Sequence, residues 1–280
     1  MKANIALVTP DSNYYIYTPS KLAQDIFFYP LQCGLFTYLP GYELKRESFD
    51  SFLLMYIQKG ELTVETGQRT YHALTNQFVL LDCYQYHAYS SATGCECLWC
   101  HFDGITARSL YENIVNRLEH VFTIPDSYPI VSKLNSIYQT FFHGSVVREP
   151  LLSKYLNDIL TAFLLYQPAV PNSINYGTVA EEVITYITEH FAEDITVEQL
   201  ASNTGLSLFH FIRTFRKETG FTPHEYILNT RIATAQYLLR NTDLLIKDIC
   251  FTVGFSSENV FCSAFKRRLG MTPSQYRNRE

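Results

Sequence analysis

The sequence is poorest in the features that send a chain into a membrane or out of the cell. No run approaches the roughly eighteen uninterrupted apolar residues of a bilayer span. The opening stretch MKANIALVTPDSNYY has neither the apolar block nor the cleavage site of a secretion signal. A cytoplasmic protein without a membrane partner is the expectation. An excess of base is also missing: 22 Lys and Arg face 27 Asp and Glu, a formal net charge of −5. Taken alone, that balance disfavours a nucleic-acid partner. Histidines at i and i+2 on one strand, with which metal-dependent β-barrel enzymes begin a coordination shell, are absent too. His87 is followed at i+2 by Tyr89, and neither His72 nor His101 completes a pair. No metal, no cofactor and no catalytic residue are therefore expected. The cysteines number seven, and an odd count suits reduced thiols better than a disulfide framework.

What the chain does have is length for two domains and a 47% apolar content to fill two cores. It also says nearly the same thing twice. Phe215, Gly220, Thr222, Pro223 and Tyr226 recur 50 residues on as Phe265, Gly270, Thr272, Pro273 and Tyr276. Upstream the offset is 49, pairing Leu200, Ala201 and Gly205 with Ile249, Cys250 and Gly254. The slip falls in a turn, where one extra residue costs little loop entropy.

Each copy reads as helix, glycine turn, helix. Thr196 with Gln199 is a capping box, and Val197, Leu200 and Ala201 share a face. Gly205 supplies the permissive turn backbone and Ser207 the next N-cap. The following helix carries an apolar stripe, Leu208, Phe211 and Phe215, opposite a second stripe, Phe209, Ile212, Arg213 and Arg216. Thr222-Pro223-His224-Glu225 then opens a connecting helix that runs to about Arg240, and Thr272-Pro273-Ser274-Gln275 repeats the signal after the second copy. Eighteen residues at ~1.5 Å each span about 27 Å. Two reading helices at the ends of such a rod suit major grooves that recur about every 34 Å. The distribution of charge agrees. Residues 179–205 hold six acids and no Lys or Arg, whereas residues 206–280 hold eleven bases against six acids, placed for phosphate contact.

The run from Arg231, with Gly254-Phe255, Phe261, Phe265-Lys266, Gly270 and Thr272-Pro273-Ser274-Gln275-Tyr276-Arg277, resembles the signature of the AraC/XylS-type bacterial transcription regulators. The resemblance implies a DNA-binding domain over 178–280 with helix-turn-helix motifs at 196–217 and 245–268, and promoter DNA as partner. Its base-facing positions fall on Phe209, Ile212, Arg213 and Arg216 in the first reading helix. In the second they fall on Glu258, Asn259, Cys262 and Ser263, with Lys266 near phosphate. Arg213 is the residue expected to grip guanine, while Phe209 and Ile212 are restricted to thymine methyls or sugars. RNA polymerase is a further partner that the resemblance allows.

The first hundred residues read as short β runs: Leu53 to Gln58 and Leu62 to Gly67 about a hairpin signal at Lys59-Gly60-Glu61, then Gln77 to Asp82 and Glu96 to Phe102. Their order resembles the cupin-type sensor domain of the same regulators, although Asn76 stands where a glycine is usual. The implied fold class is α+β with two domains: an N-terminal antiparallel β-barrel (cupin-like) with helices over 1–167, a linker at 168–177, and a C-terminal all-α double helix-turn-helix. A barrel can hold one small ligand. By resemblance to sugar-sensing members, the pocket positions are Arg46, Tyr89 and Trp99, with a saccharide as the expected effector. Aromatic residues there are equally core material. Cys95, Cys97 and His101 share one face of a strand and Cys100 the other, so the four do not converge on one ion, and buried inert thiols are the expectation. Helical periodicity then marks Leu110 to Leu118, Ile130 to Phe142 and Leu151 to Tyr166, helices that either pair two subunits as a homodimer or cover the end of the barrel.

The sequence thus points to an effector-controlled, DNA-binding transcription regulator, not an enzyme, with activation or repression left open. The alternative is a cupin-type sugar-binding or isomerase protein with a helical interaction module.

Overall fold

The computed structural model describes residues 2–3, 5–166 and 179–278. The expected linker at 168–177 lies outside the described residues. The chain divides into two units, Met1–Pro168 and Ala169–Glu280.

The first unit is built of β1 (Asn13–Ile16), α1 (Lys21–Ile26), β2 (Phe28–Tyr38), β3 (Tyr42–Arg46), β4 (Phe52–Thr66), β5 (Arg69–Leu74), β6 (Phe78–Asp82), β7 (His87–Ser91) and β8 (Cys95–Gly104). There follow α2 (Ala107–Leu118), β9 (Val121–Phe122), α3 (Tyr128–Phe142) and α4 (Glu149–Leu165). All strand pairs are antiparallel. One layer runs β1-β2-β8-β4-β6-β9, and the other joins β3, β7 and β5 to the same β4.

β4 serves both layers because it bends. Its first part, Phe52 to Gly60, pairs with β8, and its second, Glu61 to Thr66, pairs with β5. The register slips between Ile57 and Lys59, and Gly60 sits at φ +81°. A Cβ at Gly60 would lie 2.2 Å from the Gly94 carbonyl oxygen, so only glycine fits this corner. The hairpin expected at Lys59-Gly60-Glu61 is therefore corrected. The glycine marks a bend in a continuous strand, and the chain reverses at Gly67 and Gln68, both with positive φ. Asn76 is explained by its backbone: φ is +68°, a conformation asparagine tolerates better than most residues, and its side-chain oxygen accepts a hydrogen bond from the Tyr56 hydroxyl at 2.9 Å.

Alternation along β8 divides its side chains between two cores. Cys97 and Trp99 join Phe36, Met55, Val64 and Tyr89 between the layers. Leu98, Cys100 and Phe102 point the other way and pack with Leu134 of α3 and Leu156 and Phe163 of α4. These helices thus cover the outer face of the first layer rather than an open end.

The second unit contains α5 (Val179–His190), α6 (Val197–Asn203), α7 (Leu208–Thr219), α8 (Pro223–Asn241), α9 (Ile246–Thr252), α10 (Glu258–Leu269) and α11 (Pro273–Arg277). The capping boxes at Thr196/Gln199, Thr222/Glu225 and Thr272/Gln275 are all formed. The turns after α7 and α10 close identically, with Gly220 and Gly270 left-handed and donating to the Arg216 and Lys266 carbonyls. Each copy has its own core. Val183, Ile187, Leu200, Phe211, Phe215 and Ile227 make the first, and Ile232, Leu239, Ile249, Phe261 and Phe265 belong to the second. α8 contributes to both, its first turns to one and its remainder to the other. Leu208, expected in the buried stripe, is 40% exposed. The stripe runs out in the first turn of α7, ahead of the Phe211 and Phe215 pair that meets the core.

The two copies are joined where the chain turns after α5. A Cβ at Gly254 would lie 2.6 Å from the Ala192 carbonyl oxygen, so the glycine turn of the second copy lies directly on the turn between α5 and α6. Arg231 on α8 donates to the Phe191 and Glu193 carbonyls, both at 2.7 Å, and stands over the Phe255 ring. Arg277 on α11 holds the next turn in the same way, donating to Leu244 at 2.6 Å and Leu239 at 3.4 Å. Arg240 lies over Tyr276. Of the eleven bases expected to face phosphate, these three have internal duties instead, because their planar heads are matched to carbonyls and ring faces.

Candidate nucleic-acid interface and ligand cavity

In α7, Phe211 and Phe215 point into the core with no exposed surface, so helical geometry turns Phe209, Arg213 and Arg216 outward. Phe209 is 80% exposed, unusual for an aromatic side chain that has a core within reach. α10 repeats the frame with different contents: Phe261 and Phe265 are buried, while Glu258, Asn259, Ser263 and Lys266 are exposed. Among the described residues, Arg213, Arg216, Lys217, Lys266, Arg267 and Arg268 form no ion pair. Five of these six lie in the last turns of their helices, where positive charge is favoured by the helix dipole. Ile212 and Cys262, equivalent in the repeat, are only half exposed and pack against the two cores. They can offer an edge at most. The outward set is thus one aromatic and two arginines on α7, against small polar groups, one acid and one lysine on α10.

In the first unit, Arg46, Tyr89 and Trp99 come from β3, β7 and β8 and line a single cavity of about 260 Å³. Strand alternation puts them there. Tyr42, Leu44 and Arg46 face inward along β3 while Glu43 and Lys45 face solvent. Leu44 is in register with Tyr89, and Trp99 with Gly34. A side chain at Gly34 would come within 2.6 Å of the Trp99 ring, so this glycine makes room for the indole.

Sequence reasoning missed several members of this wall. Tyr38 and Tyr42 stack with ring centres 4.0 Å apart, and Tyr89 closes the group at 6.3 Å from each. His101 also lines the cavity, and its Nδ1 is 2.8 Å from the Ser51 hydroxyl. His101 was legible as sharing a strand face with Trp99, two residues earlier. The tyrosines on β2 and β3 carried no comparable signal, because their meeting depends on pairings far apart in sequence. Burial, reinforced by the charge of Arg46, holds His101 down to about 3, so it is neutral near pH 7. Burial also raises Tyr38, Tyr42 and Tyr89, keeping their hydroxyls protonated. The indole N–H of Trp99 is buried without a hydrogen-bond partner among the described residues.

The cysteines divide as the alternation of β8 requires, with Cys95 and Cys97 in one core and Cys100 in the other. Burial pushes the Cys97 and Cys100 thiols well up, which leaves them poor nucleophiles. Among the described residues, no group of three or more His, Cys, Asp or Glu is placed to hold a metal ion. No described helix is long and apolar enough to cross a membrane.

Comparison with known proteins bears on both regions. A family described as "Helix-turn-helix domain" matches residues 200–279, and one described as "AraC-like ligand binding domain" matches residues 29–134. The HTH-type transcriptional activator RhaS of Klebsiella pneumoniae is 33% identical over 139 residues, 50% of this chain and 48% of that protein. The MmsAB operon regulatory protein of Pseudomonas aeruginosa is 24% identical over 265 residues, covering 92% of this chain and 84% of its own. The lactose operon transcription activator of Staphylococcus xylosus is 26% identical over 264 residues, covering 88% and 91%.

Proposed function

The chain belongs to the AraC/XylS-type transcription regulators, and from that premise we propose that it activates transcription in response to a saccharide held among Arg46, Tyr89 and Trp99. It is a DNA-binding regulator with a ligand-binding domain. The finer reading is carried by one observation: three residues expected from the sequence to form a pocket, on three different strands, line one cavity. At about 260 Å³ it lies below the ~300–1,000 Å³ of sites for drug-sized ligands. A monosaccharide is of suitable size, and flat aromatic walls with a few polar groups suit its two faces. Activation is supported by two of the relatives, RhaS and the lactose operon protein, each named as an activator.

On the DNA side, Arg213 takes the guanine contact, Phe209 meets a thymine methyl, and Arg216 and Lys266 neutralise phosphates. Asn259 and Ser263 make the weaker half of the readout. Promoter DNA is the partner, the active species is a homodimer, and RNA polymerase is contacted once the protein is bound.

Ligand binding alters DNA occupancy only to the extent that it distinguishes two states of the protein. Selection of bound sequences from a random duplex library by the full chain tests the reading. A half-site with two contact regions about one helical turn apart, occurring twice for the homodimer, is expected. Retention driven by salt alone, with no enriched motif, would overturn it. A chain that binds monosaccharides but no duplex would instead be a sugar-binding protein with a helical interaction module.

A further inference from the structure

Resting on the saccharide reading of the cavity, we infer that the effector is an acidic sugar, a monosaccharide-sized molecule whose carboxylate is held by Arg46 while its ring lies against the aromatic wall. The first observation is a charge without a counter-charge. No Asp or Glu lines the cavity, and Arg46 forms no ion pair among the described residues; it rests over the Phe49 ring at 5.0 Å. Elsewhere in the same unit a comparably placed arginine is answered. Arg108 stands over Phe52 at 5.0 Å and also grips the buried Asp82 carboxylate through both terminal nitrogens, at 2.6 and 3.1 Å. A guanidinium half removed from water and left without an anion is costly, and its planar fork matches a carboxylate.

The second observation concerns donors and acceptors. The Trp99 N–H is buried and unpartnered. The rings of Tyr38, Tyr42 and Tyr89 gather beside it, and the Nδ1 of His101 is already engaged by Ser51. The site therefore holds two kinds of donor that await an acceptor, the indole N–H of Trp99 and the guanidinium of Arg46. Every hydroxyl of a neutral sugar brings a proton that needs an acceptor, whereas a carboxylate brings acceptors alone. The pattern of protonation agrees: with the tyrosines and His101 neutral, the site carries the single positive charge of Arg46.

The test uses the full chain and its only tryptophan, Trp99, as reporter. D-galacturonate and D-glucuronate are titrated beside D-galactose and D-glucose, which differ at the carboxylate, and beside benzoate, a carboxylate without hydroxyls. Fluorescence and melting temperature are followed together. The uronates are expected to bind roughly tenfold or more tighter than the neutral sugars. Arg46→Gln should remove most of that difference, lowering uronate affinity severalfold more than that of the neutral sugars. Arg46→Lys, which keeps the charge and loses the fork, should fall between, and it supplies a second variant if the glutamine form fails to fold.

Neutral sugars binding as well as the uronates, unaffected by Arg46→Gln, overturn the acidic-sugar inference and leave the saccharide reading standing. Benzoate binding without the uronates keeps the carboxylate and removes the sugar. No response from any of the five removes both.

Discussion

The two halves of the DNA-binding unit share a frame and differ in what they present. Phe215 and Phe265 are equally buried, Gly220 and Gly270 close the same turn, and Thr222 and Thr272 start the following helix with the same capping box. On the outward faces, Arg213 answers to Ser263 and Phe209 to Asn259. What was duplicated is the scaffold, which packing constrains; the exposed positions were free to diverge. The frames themselves differ at one point. Gly205 has open space around its missing side chain, while Gly254 lies on the Ala192 backbone.

That last difference gives the largest expected effect. Gly254→Ala must place a Cβ 2.6 Å from the Ala192 oxygen at φ +86°, and should cost about 2 kcal/mol or more of stability. Gly205→Ala carries only the strain of a positive φ, about 1 kcal/mol. Urea denaturation of the two variants compares them directly, and equal losses would mean that the joint between the halves contributes nothing.

Next comes readout. Arg213→Ala should weaken specific binding by about 1–3 kcal/mol with the melting temperature unchanged. Ser263→Ala, at the equivalent place, should cost less than about 1 kcal/mol. A gel-shift series on one operator decides this, and a reversed order would put the reading power in the second half.

The smallest effect checks the likeness rather than the difference. Thr222→Ala and Thr272→Ala each remove one capping box and should lower stability by similar amounts, about 0.5–2 kcal/mol. Losses far apart in thermal melts would show that the shared frame is unequally loaded.

These contrasts bear on what can be read from residues alone. The helical unit was legible because its signals are local: caps, glycine turns and the 3.6-residue period act within a few positions of one another, and Thr196/Gln199 or Phe211/Phe215 need no distant partner. Leu208 was misplaced because periodicity assigns a face but not where the neighbouring element ends. Arg231 and Arg277 were read as free bases because the carbonyls that bind them belong to turns about 40 residues earlier. The β unit was less legible for the same reason. Gly60 looks like a hairpin until Gly94 lies against it, and one strand then serves two layers. Arg46, Tyr89 and Trp99 were placed by resemblance and not by spacing, and the tyrosines beside them were missed because no local pattern announces a cavity.

Ala192 and Gly254 touch backbone to backbone, with Arg231 braced across the same joint, so neither half of the reader is free to pivot on the other. Inserting half a helical turn of duplex between the two contact regions would carry the second groove to the far side of the DNA. A jointed protein could follow it, whereas this one is expected to release one end. On the proposed reading, recognition by such a unit would be tied to the pitch of the double helix as closely as to its base sequence.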